Sequence, residues 1–538
     1  MIGVVADRVS ETVIREFFEL FKTPWEFFQP DKTYDVVLCD GDAKVEDIAT
    51  RLFLFYAGKK TAFDAQQKVQ IHSVQVGPEL CVPGGRLPIY GGAVTFRHEG
   101  FGGLTERHSG DSAVYIDRSG NKTFVRVGYD LFHEVHFLLT KGQPPENAGI
   151  PTLDMHISFL RDLITGCGVP LVEIPPVPDG CSFIGCLTHD IDFASIRGHK
   201  FDATMFGFLY RATVGSAVNA SRGRLSLDKL LVNWAAAAKL PFVFLGLAKD
   251  FWYDFDRYLE LEKGRPSTFF VIPFERRPGR RSEGVAPRSR GCRYDISQIT
   301  PKIPRLKAAG CEIGLHGIDA WLDSSSGRAE AQRISQISDS AAMGVRMHWL
   351  YSDEKSASVL EGAEFSYDST VGYNETIGYR AGTTQAFKPI QASRLLELPM
   401  HIMDTALFYP THMNLSSDEA WTAVSPVLDN AVRFGGALTV NWHDRSIAPE
   451  RLWGDFYERL LDEMTARGAW FSTAGQSVSW FRKRRSAVFE IDSSNGTVAA
   501  SVAVKGNESL PGLRLRFHNG RSYIDKSFNS PVQVQFSN

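Results

Sequence analysis

The stretch Cys186-Leu187-Thr188-His189-Asp190-Ile191-Asp192 constrains this chain more than any other. An apolar run through Phe183, Ile184, Cys186 and Leu187 reads as a short buried strand, and it stops in two carboxylates one residue apart. Alternate residues of a strand project to the same side, so Asp190 and Asp192 address one spot. Like charges held that close are costly unless a cation or a proton lies between them. In α/β folds the polar residues at the carboxyl ends of parallel strands line the site. A helix cap or a solvated loop also accommodates aspartates, so the remainder of the chain has to decide.

The same pattern recurs downstream. Ser267–Pro273 is a strand by composition, and Cys311–Asp319 is a short apolar strand running into His316 and Asp319. Val345–Tyr351 brings His348 just after Arg346, and Leu438–Asp444 ends in His443 and Asp444. Further strands are expected at 365–369, 395–402 and 469–472. Helical periodicity fills the intervals 301–309, 327–342, 353–361, 417–433, 449–467 and the run to about Arg484. Repeated βα units predict a parallel barrel or an open parallel sheet. A lone histidine after an apolar run is usually a hydrogen-bonded structural residue. Several ionisable groups on successive strand ends of one alternating domain point instead to a site assembled at the mouth of a barrel.

At 538 residues the chain exceeds a single core. Residues 3–7 and 34–40 read as buried strands flanking a helix over 11–22, a β-α-β start. A second helix is expected over Val45–Tyr56, a hairpin over 113–127, and helices near 129–140 and 152–166. The first strand leads into Asp7-Arg8-Val9-Ser10 rather than a glycine-rich phosphate loop, so a scaffolding or partner-binding α/β domain over 1–173 is favoured. Pro175, Pro176 and Pro178 mark a stiff linker over 174–182. The alternating βα domain spans 183–485 with a helical insertion at 193–265. From 486 to 538, two-residue alternation between Asn-Gly turns predicts a small antiparallel β unit.

Within the insertion, the stretch Leu230–Ala248 is the strongest membrane candidate, but Asn233, Lys239 and Pro241 argue for buried or interfacial helices. Association with a membrane surface through 228–250 is therefore an expectation. Seven arginines crowd Arg276–Arg293, read as a solvated loop before a lid for an anionic polymer. A net charge of -3 gives no reason to expect a nucleic acid partner. The seven cysteines lack paired metal spacing and sit in or beside apolar runs. With no secretory leader read at the first residues, the expected location is cytoplasmic.

Residues 183–484 resemble the polysaccharide deacetylases of the NodB-homology type, carbohydrate esterase family 4. Thr188-His189-Asp190-Ile191-Asp192 is similar to that family's first motif, Ser267-Thr268-Phe269-Phe270-Val271 to its second strand, and Glu312-Ile313-Gly314-Leu315-His316 to the approach of its metal-histidine motif. Gly344-Val345-Arg346 is similar to the arginine motif, and Leu438-Thr439-Val440-Asn441-Trp442-His443-Asp444 to the terminal histidine motif. Tyr367-Asp368-Ser369-Thr370, Gly378-Tyr379-Arg380-Ala381-Gly382-Thr383 and Glu397-Leu398-Pro399 look like a subgroup found beside exopolysaccharide genes.

The resemblance implies an irregular (β/α) barrel, preceded by the N-terminal α/β domain and followed by the small β unit read from the residues above. It also implies a divalent metal, zinc by preference, held by Asp192 and His316, with Asp190 as general base and Arg346 paired to it. His443 would be the acid, its tautomer fixed by a carboxylate for which Asp404 is the candidate. The family's second motif histidine, four residues after the first, is replaced here by Ala320, leaving Asp319 and His348 as candidates for the third ligand. The implied substrate is an acetylated polysaccharide or its lipid-linked precursor. A non-catalytic scaffold in polysaccharide synthesis and a small-molecule C–N hydrolase are the alternatives.

Overall fold

The computed structural model describes residues 1–6, 11–41, 48, 50–83, 85–97, 103–120, 122–338, 342–492, 497–502, 510–520, 522–529 and 532–535. Nine short strands of residues 183–472 form one parallel sheet: β1 (Phe183–Ile191), β2 (Thr268–Val271), β3 (Glu312–Gly317), β4 (Gly344–Met347), β5 (Tyr367–Asp368), β6 (Leu396–Glu397), β7 (Ile402–Met403), β8 (Ala437–Asn441) and β9 (Ala469–Ser472). Their order is β6-β5-β4-β3-β2-β1-β8-β7. The two end strands, β6 and β7, are consecutive in the chain, so the sheet curls back towards itself as an irregular (β/α) barrel.

The irregularity has a definite place. Residues 184–188 of β1 pair with β8 along one edge. On the opposite edge, β9 takes residues 183–186 and β2 takes 188–191. One long strand thus serves two short neighbours end to end, and every residue of β1 is buried. That explains its unbroken apolar character up to Thr188, since parallel strands covered on both faces do not alternate. The core beneath is built from Leu187, Leu315, Val345, Val440 and Trp442 with the helices that follow the strands.

The N-terminal segment carries its own parallel sheet, in the order 114–119, 122–127, 50–56, 34–40, 2–5, 25–27, with only the outermost pair antiparallel. The helix expected over 45–56 is corrected here: Thr50–Tyr56 is a central strand, and 42–47 and 49 lie outside the described residues. Leu52 and Leu54 are buried on one face while Phe55 packs on the other, the signature of a strand covered on both sides rather than of a helix. The hairpin over 113–127 and the helix over 152–166 lie where periodicity puts them.

The C-terminal strands are not self-contained. Leu513–Asn519 forms a hairpin with Ser522–Phe528 and also pairs with Leu171–Glu173, so the end of the chain is stitched to the end of the N-terminal segment. Buried Glu173 closes the junction, accepting from Arg161 at 2.8 Å and meeting His518 at 2.9 Å. The insertion folds as helices α1 (Ala203–Tyr210), α2 (Ser216–Ser221) and α3 (Leu227–Phe244), with a π turn over Arg211–Gly215 joining the first two. No helix among the described residues is long and apolar enough to cross a membrane.

Candidate active site

At the carboxyl ends of β1, β3 and β4 the structure brings together Asp192, His316 and His348, whose ligating atoms all lie within 4.8 Å of one another. His316 Nε2 is 3.4 Å from Asp192 Oδ1, and His348 Nδ1 is 3.8 Å from that same oxygen. The two imidazoles lie nearly parallel, with centroids 4.9 Å apart. The main-chain carbonyl of Arg346 accepts from His316 Nδ1 at 3.0 Å. A carbonyl can only accept, so Nδ1 carries a proton, and Nε2 is the nitrogen directed at the carboxylates.

Asp190, two residues earlier on β1, is held from two sides. Arg346 Nη1 donates to Oδ1 at 3.1 Å and Asn441 Nδ2 donates to Oδ2 at 2.8 Å. Arg346 is itself fully buried: Nε donates to the Ser369 carbonyl, Nη2 to Ser369 Oγ and Nη1 also to Thr188 Oγ1, while the guanidinium lies 4.6 Å over the Phe270 ring. Burial works against ionisation of Asp190, but His316, Arg346 and His443 outweigh it and hold its carboxyl below the usual carboxylate range. Asp192, part-exposed, is also held low, against its partial burial, by His348, His316 and His443.

His443 stands opposite, with Nε2 3.9 Å from Asp192 Oδ2. Asp404 grips it twice, Oδ1 meeting Nδ1 at 2.6 Å and Oδ2 accepting from its main-chain N–H at 2.7 Å. Ser446 Oγ donates to the same Asp404 oxygen. Burial opposes protonation of His443, but Asp404 overrides it and, with Asp192 and Asp190, raises the imidazole to about 10. Asp444 is committed elsewhere: it accepts the N–H groups of Phe193 and Ala194 and so fixes the turn after Asp192.

Six of the eight residues singled out in the sequence as catalytic or ligating meet within this one constellation, as the carboxyl-end rule predicts: Asp190, Asp192, His316, Arg346, His348 and His443. A seventh, Asp404, supports His443 from behind. Asp319 is the correction. Its carboxylate accepts the Arg280 main-chain N–H at 2.7 Å and faces Arg277, outside the ligating group. The physical reason is direction: β3 ends at Gly317, and Glu330 accepts the N–H groups of Ile318 and Asp319, turning the chain off the sheet. Asp319 thereby anchors the arginine-rich loop. That loop is no free solvated segment, because buried Arg290 donates to the carbonyls of Ile318 and His348. His189, despite its place in the motif, is a structural residue sealed between the Trp442 carbonyl and Glu262.

Asn441, Thr188 and Ser369 escaped the sequence reading. Asn441 was findable, since it closes β8 two residues before His443, and extended chain puts residues two apart on one side. Ser369 carried no signal, because its partner Arg346 is 23 residues away.

No family model matches the chain, and no curated protein matches it. Among solved structures it is similar to a probable polysaccharide deacetylase from Pseudomonas aeruginosa PAO1, with 14% identity over 60% of this chain and 98% of that one and a TM-score of 0.35. It is also similar to the Xyl-CE4 domain of a multidomain xylanase from the hindgut metagenome of Trinervitermes trinervoides, with 12% identity, coverages of 55% and 90% and a TM-score of 0.23. A family 4 acetyl xylan esterase from Clostridium thermocellum, solved with a cobalt ion, aligns at 15% identity over 48% of this chain and 87% of that one, with a TM-score of 0.19. At such identities the chemistry has to be read from the side chains themselves.

Proposed function

We propose that the chain is a metal-dependent deacetylase acting on N- or O-acetyl groups of a glycan or its lipid-linked precursor. The observation that carries this reading is the juxtaposition of a two-histidine, one-carboxylate cluster with a separately held carboxylate, Asp190, and an Asp404-backed histidine, His443. The cluster suits a divalent cation. Asp192 Oδ1 is buried with no hydrogen-bond partner among the described residues, and it faces two imidazole nitrogens at 3.4 and 3.8 Å. Ligands bound at about 2.0–2.2 Å to one tetrahedral ion stand roughly 3.3–3.6 Å apart, close to this spacing. His348 thus takes the part left open by Ala320. Zinc is the metal favoured by two imidazoles and one carboxylate.

When bound, such a cation acidifies a water and polarises an acyl oxygen. The chain's own residues supply the rest. Asp190, ionised and fixed by Arg346 and Asn441, accepts a proton at the oxygen facing His316. His443, with Nδ1 engaged by Asp404, presents Nε2–H to a leaving amine or alkoxide. Elemental analysis of the purified protein should find one equivalent of a divalent ion that the His316→Ala variant lacks. Metal absent from the intact protein would instead point to a glycan-binding protein on this fold.

The insertion supports a second part of the reading, contact with an anionic membrane surface. Phe206, Tyr210 and Val214 recur every four residues and stand more than half exposed, beside exposed Leu227, Leu231 and Trp234 of α3. Residues 197–249 carry eight Lys or Arg against two Asp in a chain of net charge -3. Apolar side chains among cations are the chemistry of an interfacial helix pair. Co-sedimentation with vesicles containing phosphatidylglycerol should be lost in Leu231→Glu/Trp234→Glu, and retention would remove this contact from the proposal.

A further inference from the structure

Beside His443 the structure gathers three guanidiniums that the deacetylation chemistry does not use. Arg445 follows His443 by two residues, Arg451 lies in the next turn, and Arg211 comes from the π turn of the insertion. All three cluster with Tyr409, five residues beyond Asp404: Arg445 and Arg451 each donate an Nη2 hydrogen to its hydroxyl at 2.7 Å. Arg451 lies 4.5 Å over the Tyr409 ring, and Arg445 lies 3.6 Å over that of Phe193, the residue after the ligating Asp192. Mutual electrostatic influence links Arg211, Arg445, Arg451, Tyr409 and Glu450, and links Tyr409 to His443.

The charge is unbalanced. Glu450 is the one carboxylate that acts on all three arginines, and one of its oxygens is committed to Trp252 Nε1 at 3.0 Å. Asp444 also reaches Arg445, but one of its oxygens already accepts two main-chain N–H groups. Buried guanidinium nitrogens are ordinarily hydrogen-bonded. Here Arg211 Nε, Arg211 Nη2 and Arg451 Nε are buried with no partner among the described residues. Bringing three guanidiniums together is electrostatically costly without an anion among them. A π turn, rare and common at functional sites, aims one of them from a different element.

We propose that Arg211, Arg445 and Arg451 form a phosphate-binding subsite beside the acid histidine, taking a phosphoryl or diphosphoryl group on the substrate. Three guanidiniums against one shared carboxylate match a dianion better than the single charge of a uronate, and the free Nε/Nη2 edge of Arg211 suits bidentate contact with phosphate oxygens, with Arg451 Nε beside it. The inference rests on the deacetylase reading for its substrate and narrows that substrate to a phosphorylated glycan precursor, either lipid-borne or nucleotide-borne.

The test is binding, not turnover, so its failure leaves the metal-centre reading untouched. Calorimetric titration of the full-length protein with inorganic pyrophosphate should give binding that weakens with added salt. Arg211→Gln should lower that affinity about tenfold or more, the loss expected for charge-assisted hydrogen bonds, while thermal stability should not fall, because Arg211 Nε and Nη2 have no partner among the described residues. His316→Ala should leave the affinity intact. Parallel titrations with uridine diphosphate and with a polyprenyl phosphate in detergent micelles separate the two sources, the true one binding more tightly than pyrophosphate and losing that advantage in Arg211→Gln. Binding abolished by His316→Ala but not by Arg211→Gln, glucuronate bound as well as pyrophosphate, or no binding of any phosphate would each overturn the proposal.

Discussion

Two parallel sheets in this molecule end strands in carboxylates, and their fates are opposite. In the N-terminal sheet Asp40 closes the strand 34–40, buried beside Asp130 and within reach of Tyr56. Burial, and then Asp130, push its carboxyl well above the ordinary range. In the barrel, Asp190 is buried and Asp192 mostly so, yet His316, His348, His443 and Arg346 hold both below the ordinary carboxylate range. The position in the fold is the same. What differs is the chemistry of the neighbouring strand ends, and that decides which carboxylate can serve as a base or a ligand.

The sharpest way to break this comparison is to neutralise one carboxylate in each sheet. Asp190→Asn should reduce acetate release from an acetylated chito-oligosaccharide by about 10²–10⁴-fold, the range for a general base, with metal content unchanged. Asp40→Asn should leave turnover within about twofold of the parent, since Asp40 lies on the other sheet, apart from the histidine cluster. Equal losses in both variants would show that strand-end placement, not local charge, sets function.

Metal affinity gives the next largest effect. His348→Ala should lower metal occupancy at equilibrium dialysis at least as severely as the ~10–100-fold loss seen when only a ligand's supporting partner is removed. Asp319→Ala should keep the metal and instead loosen the arginine-rich loop it anchors, read as faster proteolysis between Arg276 and Arg293. Full metal retention by His348→Ala would return Asp319 or a water to the third position.

Arg346 tests the source of the contrast. Removing one partner of a buried ion pair costs about 3–5 kcal/mol, so Arg346→Met should lower the unfolding free energy by an amount of that order. The sign of the pH effect follows from Asp190, whose carboxyl the guanidinium holds down. Without it the carboxyl rises, and the acid limb of the pH–rate profile should move to higher pH in whatever activity survives.

Much of this contrast was legible in the sequence, because it depends on strand ends. A buried parallel strand announces itself as an apolar run, and the polar residue that stops it marks the mouth, which is how Asp190, Asp192, His316 and His443 are found from order alone. Arg346 on β4 and His348 just past its end follow from the apolar run that they close. What failed was decided by tertiary neighbours. Thr50–Tyr56 holds aromatics on both faces, a pattern shared by buried helices and central strands, and the flanking strands settle it. Asp319 lost its ligand role to Glu330, which turns the chain by accepting two main-chain N–H groups from 11 and 12 residues away. The arginine cluster stayed hidden because Arg211 lies more than 200 positions before its partners.

The smallest effect is a pair of opposite pH slopes in stability. Asp40 has a folded pKa above its ordinary 3.8, so the native state retains a proton that the unfolded chain has released. Its contribution is present at low pH and is lost as pH rises beyond 3.8. Glu173, at the seam with the C-terminal hairpin, goes the other way: burial opposes its charge, but Arg161 and His518 hold it at about 2 against an ordinary 4.5. Its contribution is full above 4.5 and is lost as pH falls towards 2. Denaturant titrations across pH 3–7 should therefore show Asp40→Asn abolishing a decline on the alkaline side, and Glu173→Gln abolishing one on the acid side. Parallel slopes in the two variants would mean that Asp40 keeps its charge after all, because only a carboxyl deprived of a cation can make folding weaken as protons become scarce.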